Sequence, residues 1–334
     1  MKLKHDPFPL IFAQGDEATK LACLEFFGLK DSPQAQAYLL ELIKQQRADG
    51  TFPSGLDAEH WGMRETARNT LLMLKVGTPP QGANVASAVK FILNHQNADG
   101  GWCENRALDI PPHMTELSTE RSITWLTADV VELLRQVGMA DHPATQSALA
   151  WLRGMQNRHG GWYTYSGAIG EREGTPGDPD SSAQITFLMG EIYGKDDPAY
   201  LKGRALFERN LDECLQDVAR GYRIRFRDGQ REEADGYIRD AYSLTHLFLS
   251  WLLDPPRRLQ SGYDASDPRA KRILEALADI QLADGGWRPF WTQESTPIYT
   301  ALAVKVLVLS GMLRWEDLQA DVEAYARRGS GASP

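Results

Sequence analysis

Cysteine is scarce in this 334-residue chain: Cys23, Cys103 and Cys214 are an odd number with no C-x-x-C spacing. That excludes a disulfide framework and a zinc knuckle, and it fits a reducing cytoplasm. A long apolar run is also lacking. The longest, ALAVKVLVLSGML, is interrupted by Lys305 and falls short of a bilayer span, and the N-terminal MKLKHDPFPLIFAQGDE has too short an apolar stretch for a signal peptide. No transmembrane helix and no targeting segment are expected, with peripheral membrane contact left open. Excess positive charge is the third absence: 36 Lys and Arg against 45 Asp and Glu leave a formal charge of -9. Phosphate binding runs on clustered cationic side chains, so a nucleic-acid partner is excluded and a small molecule or protein remains.

What the chain does have is repetition. Its length permits one large core or two ordinary ones, and the repeats decide between them. Four units carry a glutamine, a polar glycine turn and an aromatic ring: QRADGTF from Gln46, QNADGGW from Gln96, QNRHGGW from Gln156 and QLADGGW from Gln281. An amphipathic segment leads into each, such as VASAVKFILNHQ with Val85, Val89, Ile92 and Leu93 on one face, or TQSALAWLRGMQ with Leu149, Leu152 and Met155. The glutamine is expected to close that helix. Glycine permits the positive φ of the turn, and the ring folds back over the helix ends.

A more uniformly apolar helix follows each turn: RETARNTLLMLKVG, TERSITWLTADVVELLRQVG, DPDSSAQITFLMGEIYG, YIRDAYSLTHLFLSWLL and STPIYTALAVKVLVLSG. Apolarity on all sides implies burial on both. With DEATKLACLEFFG (residues 16–28) counted as the first and WEDLQADVEAYARR (residues 315–328) as the last outer helix, six buried and six amphipathic helices result, and six pairs close a ring. Between them, Arg223, Arg225 and Arg227 alternate with Ile224 and Phe226, a period of two that predicts a short hairpin. Residues 329–334 read as a disordered tail.

These Q-x3-G-x-W units resemble the repeats of squalene-hopene and oxidosqualene cyclases and of protein prenyltransferase β-subunits, and they span most of the chain. The resemblance implies an all-α fold, a single α6/α6 barrel over residues 1–334 with inner helices lining a central cavity. It makes Trp102, Trp162 and Trp287 scaffold residues. It is less specific for activity, since the fold hosts cyclases, prenyltransferases and non-catalytic binding proteins.

In GDPDSSAQ, residues Asp178 to Ala183 stand where the resemblance puts the D-x-D-D-T-A motif of class II terpene cyclases. Asp180 would then protonate an alkene or epoxide of a hydrophobic isoprenoid to start polyene cyclization. Asp178 matches the first acid; Ser181 departs from the last. The chemistry needs a carboxyl group that stays protonated. Burial favours that, and two neighbouring carboxyl groups can hold one proton between them. Carbocations need π faces and shielding from water, for which Trp61, Trp125, Phe187, Tyr242, Phe290, Trp291 and Tyr299 are placed near inner-helix starts.

The same acids have a plainer reading. Asp178 is a good N-cap, Pro179 fits the first helical position, and Asp180 complements the helix dipole. The protein is then a non-catalytic barrel for a hydrophobic ligand or a protein partner. A third reading is a transferase that holds a prenyl diphosphate on Arg223, Arg225 and Arg227, the one case in which magnesium enters. Otherwise no cofactor and no metal is expected: Asp240 and His246 have no cysteine beside them for zinc, and Asp196 and Asp197 lack the third acid of D-D-x-x-D. His60, Glu65, His113, Glu116, Glu120 and Glu294 either shape a polar mouth or are only solvated. Squalene-type cyclases place the cavity between two barrels, so one barrel implies a second subunit, a homodimer or a smaller substrate.

Overall fold

The computed structural model describes residues 1–112, 114–168, 171, 174–220, 223–227, 230–234, 263–288 and 294–327. Among them are twelve helices and two small antiparallel ladders. The chain packs as two compact units, Leu39–Leu206 and Met1–Tyr38 with Phe207–Pro334.

In the Leu39–Leu206 unit, the end of α3 (Pro33–Gln45) leads through β1 (Phe52–Pro53) and β2 (Trp61–Gly62) to α4 (Met63–Lys75). Then come α5 (Ala83–Asn94), α6 (Thr124–Gln136), α7 (Pro143–Gly154), α8 (Pro179–Tyr193) and the start of α9 (Pro198–Arg220). Helix α4 packs on α5 and α6, and α6 packs on α7 and α8. The alternation of amphipathic and apolar helices therefore appears as outer and inner layers.

The repeat turns hold the layers together, with one correction to the expected role of glutamine. Its side chain bridges to the next outer helix instead of only closing its own. Gln96 Nε2 donates to Gly100 O in its own turn and to Ala144 O in α7, both at 2.8 Å. Gln46 does the same to Gly50 and Asn84, and Gln156 to Gly160 and Ala199. These carbonyls need partners once buried, and one amide serves two of them. Gly100 has φ +100°, and a Cβ there would lie 2.7 Å from Ser147 Oγ, so the turn demands glycine by conformation and by space. The indoles behave as expected. Trp102 Nε1 reaches Ile92 O at 2.8 Å and Trp162 Nε1 reaches Leu152 O at 2.6 Å, sealing the outer helix that precedes each.

In the other unit, α1 (Phe8–Gln14), α2 (Glu17–Phe26), α10 (Pro268–Asp279), α11 (Pro297–Leu309) and α12 (Trp315–Arg327) repeat the scheme. Gln281 bonds Gly285 O and His5 O, and its Oε1 accepts the N–H groups of Lys4 and His5, so the last turn grips the N-terminal segment. Helix α1 is an addition to the twelve counted from sequence; just ahead of it, Asp6 Oδ1 accepts Phe8 N at 3.0 Å in a tight turn. Phe12 stacks on Tyr325 at 4.5 Å, and Phe27 lies 4.7 Å from Trp315. The predicted hairpin is present: β3 (Arg223–Arg227) pairs antiparallel with β4 (Gln230–Ala234), Arg225 opposite Glu232. The inner helix expected at residues 237–253 and the tail at 329–334 lie outside the described residues.

Candidate functional site

Among the described residues, four inner helices each carry one hydroxyl that fixes the rotation of the helix. The backbone N–H of the repeat aromatic donates to it: Phe52 to Thr66, Trp102 to Thr127, Trp162 to Ser182 and Trp287 to Thr300, at 2.9 to 3.1 Å. Residues two before and two after this anchor stand about 200° around the helix from it and share the opposite face. In the Leu39–Leu206 unit that face carries Arg64 and Arg68 on α4, Trp125 and Asp129 on α6, and Asp180 and Gln184 on α8.

A polar network crosses the three helices on this face. Asp129 Oδ2 accepts Arg68 Nε at 2.9 Å, and Asp129 Oδ1 accepts Gln184 Nε2 at 2.6 Å. The Arg68 guanidinium lies 4.9 Å from the centre of the Trp125 ring, whose Nε1 donates to Glu116 O at 3.2 Å. The face is therefore mostly hydrogen-bonding and charged, with one indole, where the sequence led to an aromatic lining.

At the start of α4 sits a buried carboxyl group. Glu104 is 2% exposed; its Oε2 accepts Met63 N at 2.9 Å, and its Oε1 has no partner among the described residues. Burial, with the neighbouring Glu65, pushes its pKa above the ordinary 4.5. The native state thus binds this proton more tightly than the unfolded chain does. Its contribution to stability falls as pH rises from 4.5 through the raised native value. Glu104→Gln keeps an oxygen for Met63 N and removes the titration. In thermal unfolding across pH, the variant should gain on wild type toward neutral pH; a variant that instead loses ground there would contradict the burial of a strained carboxylate.

The start of α8 realises the capping expected of it. Asp178 Oδ1 accepts Ser181 N at 2.8 Å, and Asp178 N donates to Trp162 O at 2.8 Å. Ser181 is 0% exposed and its Oγ lacks a partner among the described residues. The backbone of Asp180 lies in the first turn; its side chain is outside the description.

Comparison with known proteins finds similarity in part of the sequence and in the fold. Residues 16–167 match the squalene-hopene cyclase C-terminal domain. The squalene-hopene cyclase of Zymomonas mobilis is 27% identical over 194 residues, 56% of this chain and 26% of that enzyme, so the chain spans about a quarter of this curated relative. A type II terpene cyclase from Scytonema in its apo form superposes with a TM-score of 0.53 at 15% identity, over 89% of this chain and 88% of that one. The same enzyme in a variant bound to geranylgeranyl dihydroxybenzoate, its substrate, gives 0.53 at 16% identity over the same shares. The chain has the mostly helical fold of these cyclases. The match to the squalene-hopene cyclase C-terminal domain ends at residue 167, before Asp178.

Within that fold the expected residues scatter. Trp125 is on the shared face. Trp61 instead meets Phe91 and His95, with ring centres 5.0 and 5.2 Å away, at the outer helix α5. Phe187 is fully buried and faces Tyr200 of α9 at 6.3 Å. Tyr299, on α11, belongs to the other unit. Tyr242, Phe290, Trp291, Asp240, His113 and His246 lie outside the described residues, as do the side chains of Arg223, Arg225 and Arg227. His60 pairs with Asp57, Glu65 with Arg64, and Glu120 lines an open groove of about 460 Å³ with Asp99, Arg121, Trp151 and Met155. Glu294 is exposed. Among the described residues no three His, Cys, Asp or Glu side chains converge as metal ligands, and no helix is long and apolar enough to cross a membrane.

Arg68, Asp129, Gln184 and Glu104 were not singled out from sequence. The first three are detectable as the residues two past Thr66, Thr127 and Ser182. Glu104 has only its place, two residues after Trp102, to mark it.

Proposed function

We propose that the chain is a proton-initiated terpene cyclase of the type II kind, built on an α6/α6 barrel, with Asp180 as general acid. The observation that carries the reading is the anchor register of α8. Ser182 holds Trp162 N as threonines hold the repeat aromatics elsewhere, so Asp178, Asp180 and Ser182 fall at the spacing of D-x-D-D-T-A. The Scytonema enzyme, which shares the fold, is described with a geranylgeranyl substrate and with merosterolic acid A as product.

In the proposed reaction Asp180 transfers its proton to a terminal alkene or epoxide. The C–C π electrons, or the opening C–O bond, leave a carbocation that the next alkene attacks, and a final proton loss or water capture ends the cascade. Asp178 shapes the acid by fixing the first turn of α8, and Trp125 offers a π face. Buried Ser181 offers a hydroxyl at the position of the motif's last acid. Proton-initiated cyclization requires no cofactor; magnesium enters only with a diphosphate substrate. Cytoplasmic residence rests on the free thiols Cys23 and Cys103, with burial pushing Cys23 up to about 12. A second subunit or homodimer to complete the cavity belongs to the same reading.

The test is incubation of the purified chain with squalene, oxidosqualene, geranylgeranyl diphosphate and a geranylgeranylated hydroxybenzoate, with products read by gas chromatography and mass spectrometry. Cyclized product from any of them supports the reading. Recovery of every substrate unchanged leaves the hydrophobic-ligand barrel as the function.

A further inference from the structure

The guanidinium of Arg68 is oriented by three elements yet only partly used. Its Nε is taken by Asp129, and its plane rests against Trp125. Asp129 is in turn fixed from its other oxygen by Gln184, and Trp125 by the carbonyl of Glu116. Nη1 and Nη2 have no hydrogen-bond partner among the described residues, and the side chain is 53% exposed while Asp129 is 13% exposed. An exposed ion pair alone adds little stability and does not call for three helices to converge on it. A fork held flat at one edge with its other two nitrogens open is the geometry that receives two oxygens side by side.

We infer that Arg68 holds an anionic head group of the substrate, a carboxylate or phosphate, on the α4, α6 and α8 face. The identity of the tail rests on the cyclase reading above; the anion site itself does not. Covering this face with hydrocarbon would strip water from the fork without replacing the lost hydrogen bonds, which is unfavourable. An anion replaces them. Arg68 is the binding residue, while Asp129 and Gln184 position it. The head group is thereby set on the face that also carries Asp180 in register, one helical turn before Gln184.

The experiment is equilibrium binding to the whole chain, by calorimetry, of three ligands with the same tail: geranylgeranyl diphosphate, a geranylgeranylated hydroxybenzoate and uncharged geranylgeraniol. At least one charged ligand should bind about tenfold or more tightly than the alcohol, the scale of one charge-assisted contact. Arg68→Gln should erase that advantage and leave binding of the alcohol unchanged, and Arg68→Lys should keep part of it. Which charged ligand is preferred separates carboxylate from phosphate. An alcohol that binds as tightly as both anions, an advantage that survives Arg68→Gln in a folded variant, or no binding of either anion overturns the proposal. Because binding is read without turnover, an inactive chain that binds anions through Arg68 refutes the cyclase reading alone.

Discussion

Trp102→Ala should cost roughly 4 to 6 kcal/mol of stability, the sum of a deleted core indole and a carbonyl left unpaired. Trp102 is 0% exposed, and its Nε1 is the donor to Ile92 O at the end of α5. The cavity would open where α5 meets the repeat turn, while the Trp102 backbone bond to Thr127 survives. Trp102→Phe separates the two contributions. It retains most of the ring volume but loses three ring atoms, the N–H among them, so its loss should be about 2 to 3 kcal/mol, well short of the alanine variant. Urea unfolding followed by circular dichroism measures both. An alanine variant within about 1 kcal/mol of wild type would mean that the turn is not the clasp its geometry describes.

Asp180→Asn should lower cyclization by about 10² to 10⁴-fold, the usual contribution of a positioned general acid, with no matching loss of stability. Asparagine keeps the size of the side chain, and against a carboxyl group that stays protonated it gives up no charge at the helix start; even against an ionised one it would give up only about 0.3 to 1 kcal/mol. Asp178→Asn is the informative companion. Asparagine caps as well as aspartate, so the bond to Ser181 N is retained and stability should hold. If Asp178 acts only as a cap, activity survives; if the two carboxyl groups share a proton, activity falls in both variants. Initial rates together with thermal midpoints separate these outcomes.

The scaffold was more legible in the sequence than the face it builds. Glycines in the repeat turns announced positive φ, which Gly50, Gly100, Gly160 and Gly285 all adopt, and the alternation from Arg223 to Arg227 announced the hairpin. Asp178 announced its own capping bond. These are local signals, set by neighbours in the chain. The second bond of each glutamine was not legible, because Gln96 and Ala144 are 48 residues apart and nothing in either segment names the other. Helix α1 is not legible because its short apolar run reads equally as a stray N-terminal segment; Gln281 holds the residue His5 just ahead of it.

The lining is less legible for a related reason. Closeness to an inner-helix start does not fix the face a residue occupies, which depends on its phase relative to the buried hydroxyl. Phe187 is five residues past Ser182 and turns toward Tyr200, whereas Gln184, two past it, reaches Asp129. Counting from Thr66, Thr127 and Ser182 sorts the two groups, yet those anchors become recognisable only once the backbone bonds to them are seen.

The most direct measurement is turnover, in heavy water, of the best substrate that ends in an alkene and not an epoxide, with product mass read by mass spectrometry. Protonation of the terminal alkene by Asp180 places one solvent-derived deuterium on carbon in every cyclized molecule, and Asp180→Asn forms this product at least about 10²-fold more slowly. Cyclized product without deuterium on carbon, or labelled product formed at an undiminished rate by Asp180→Asn, would contradict proton initiation by this residue.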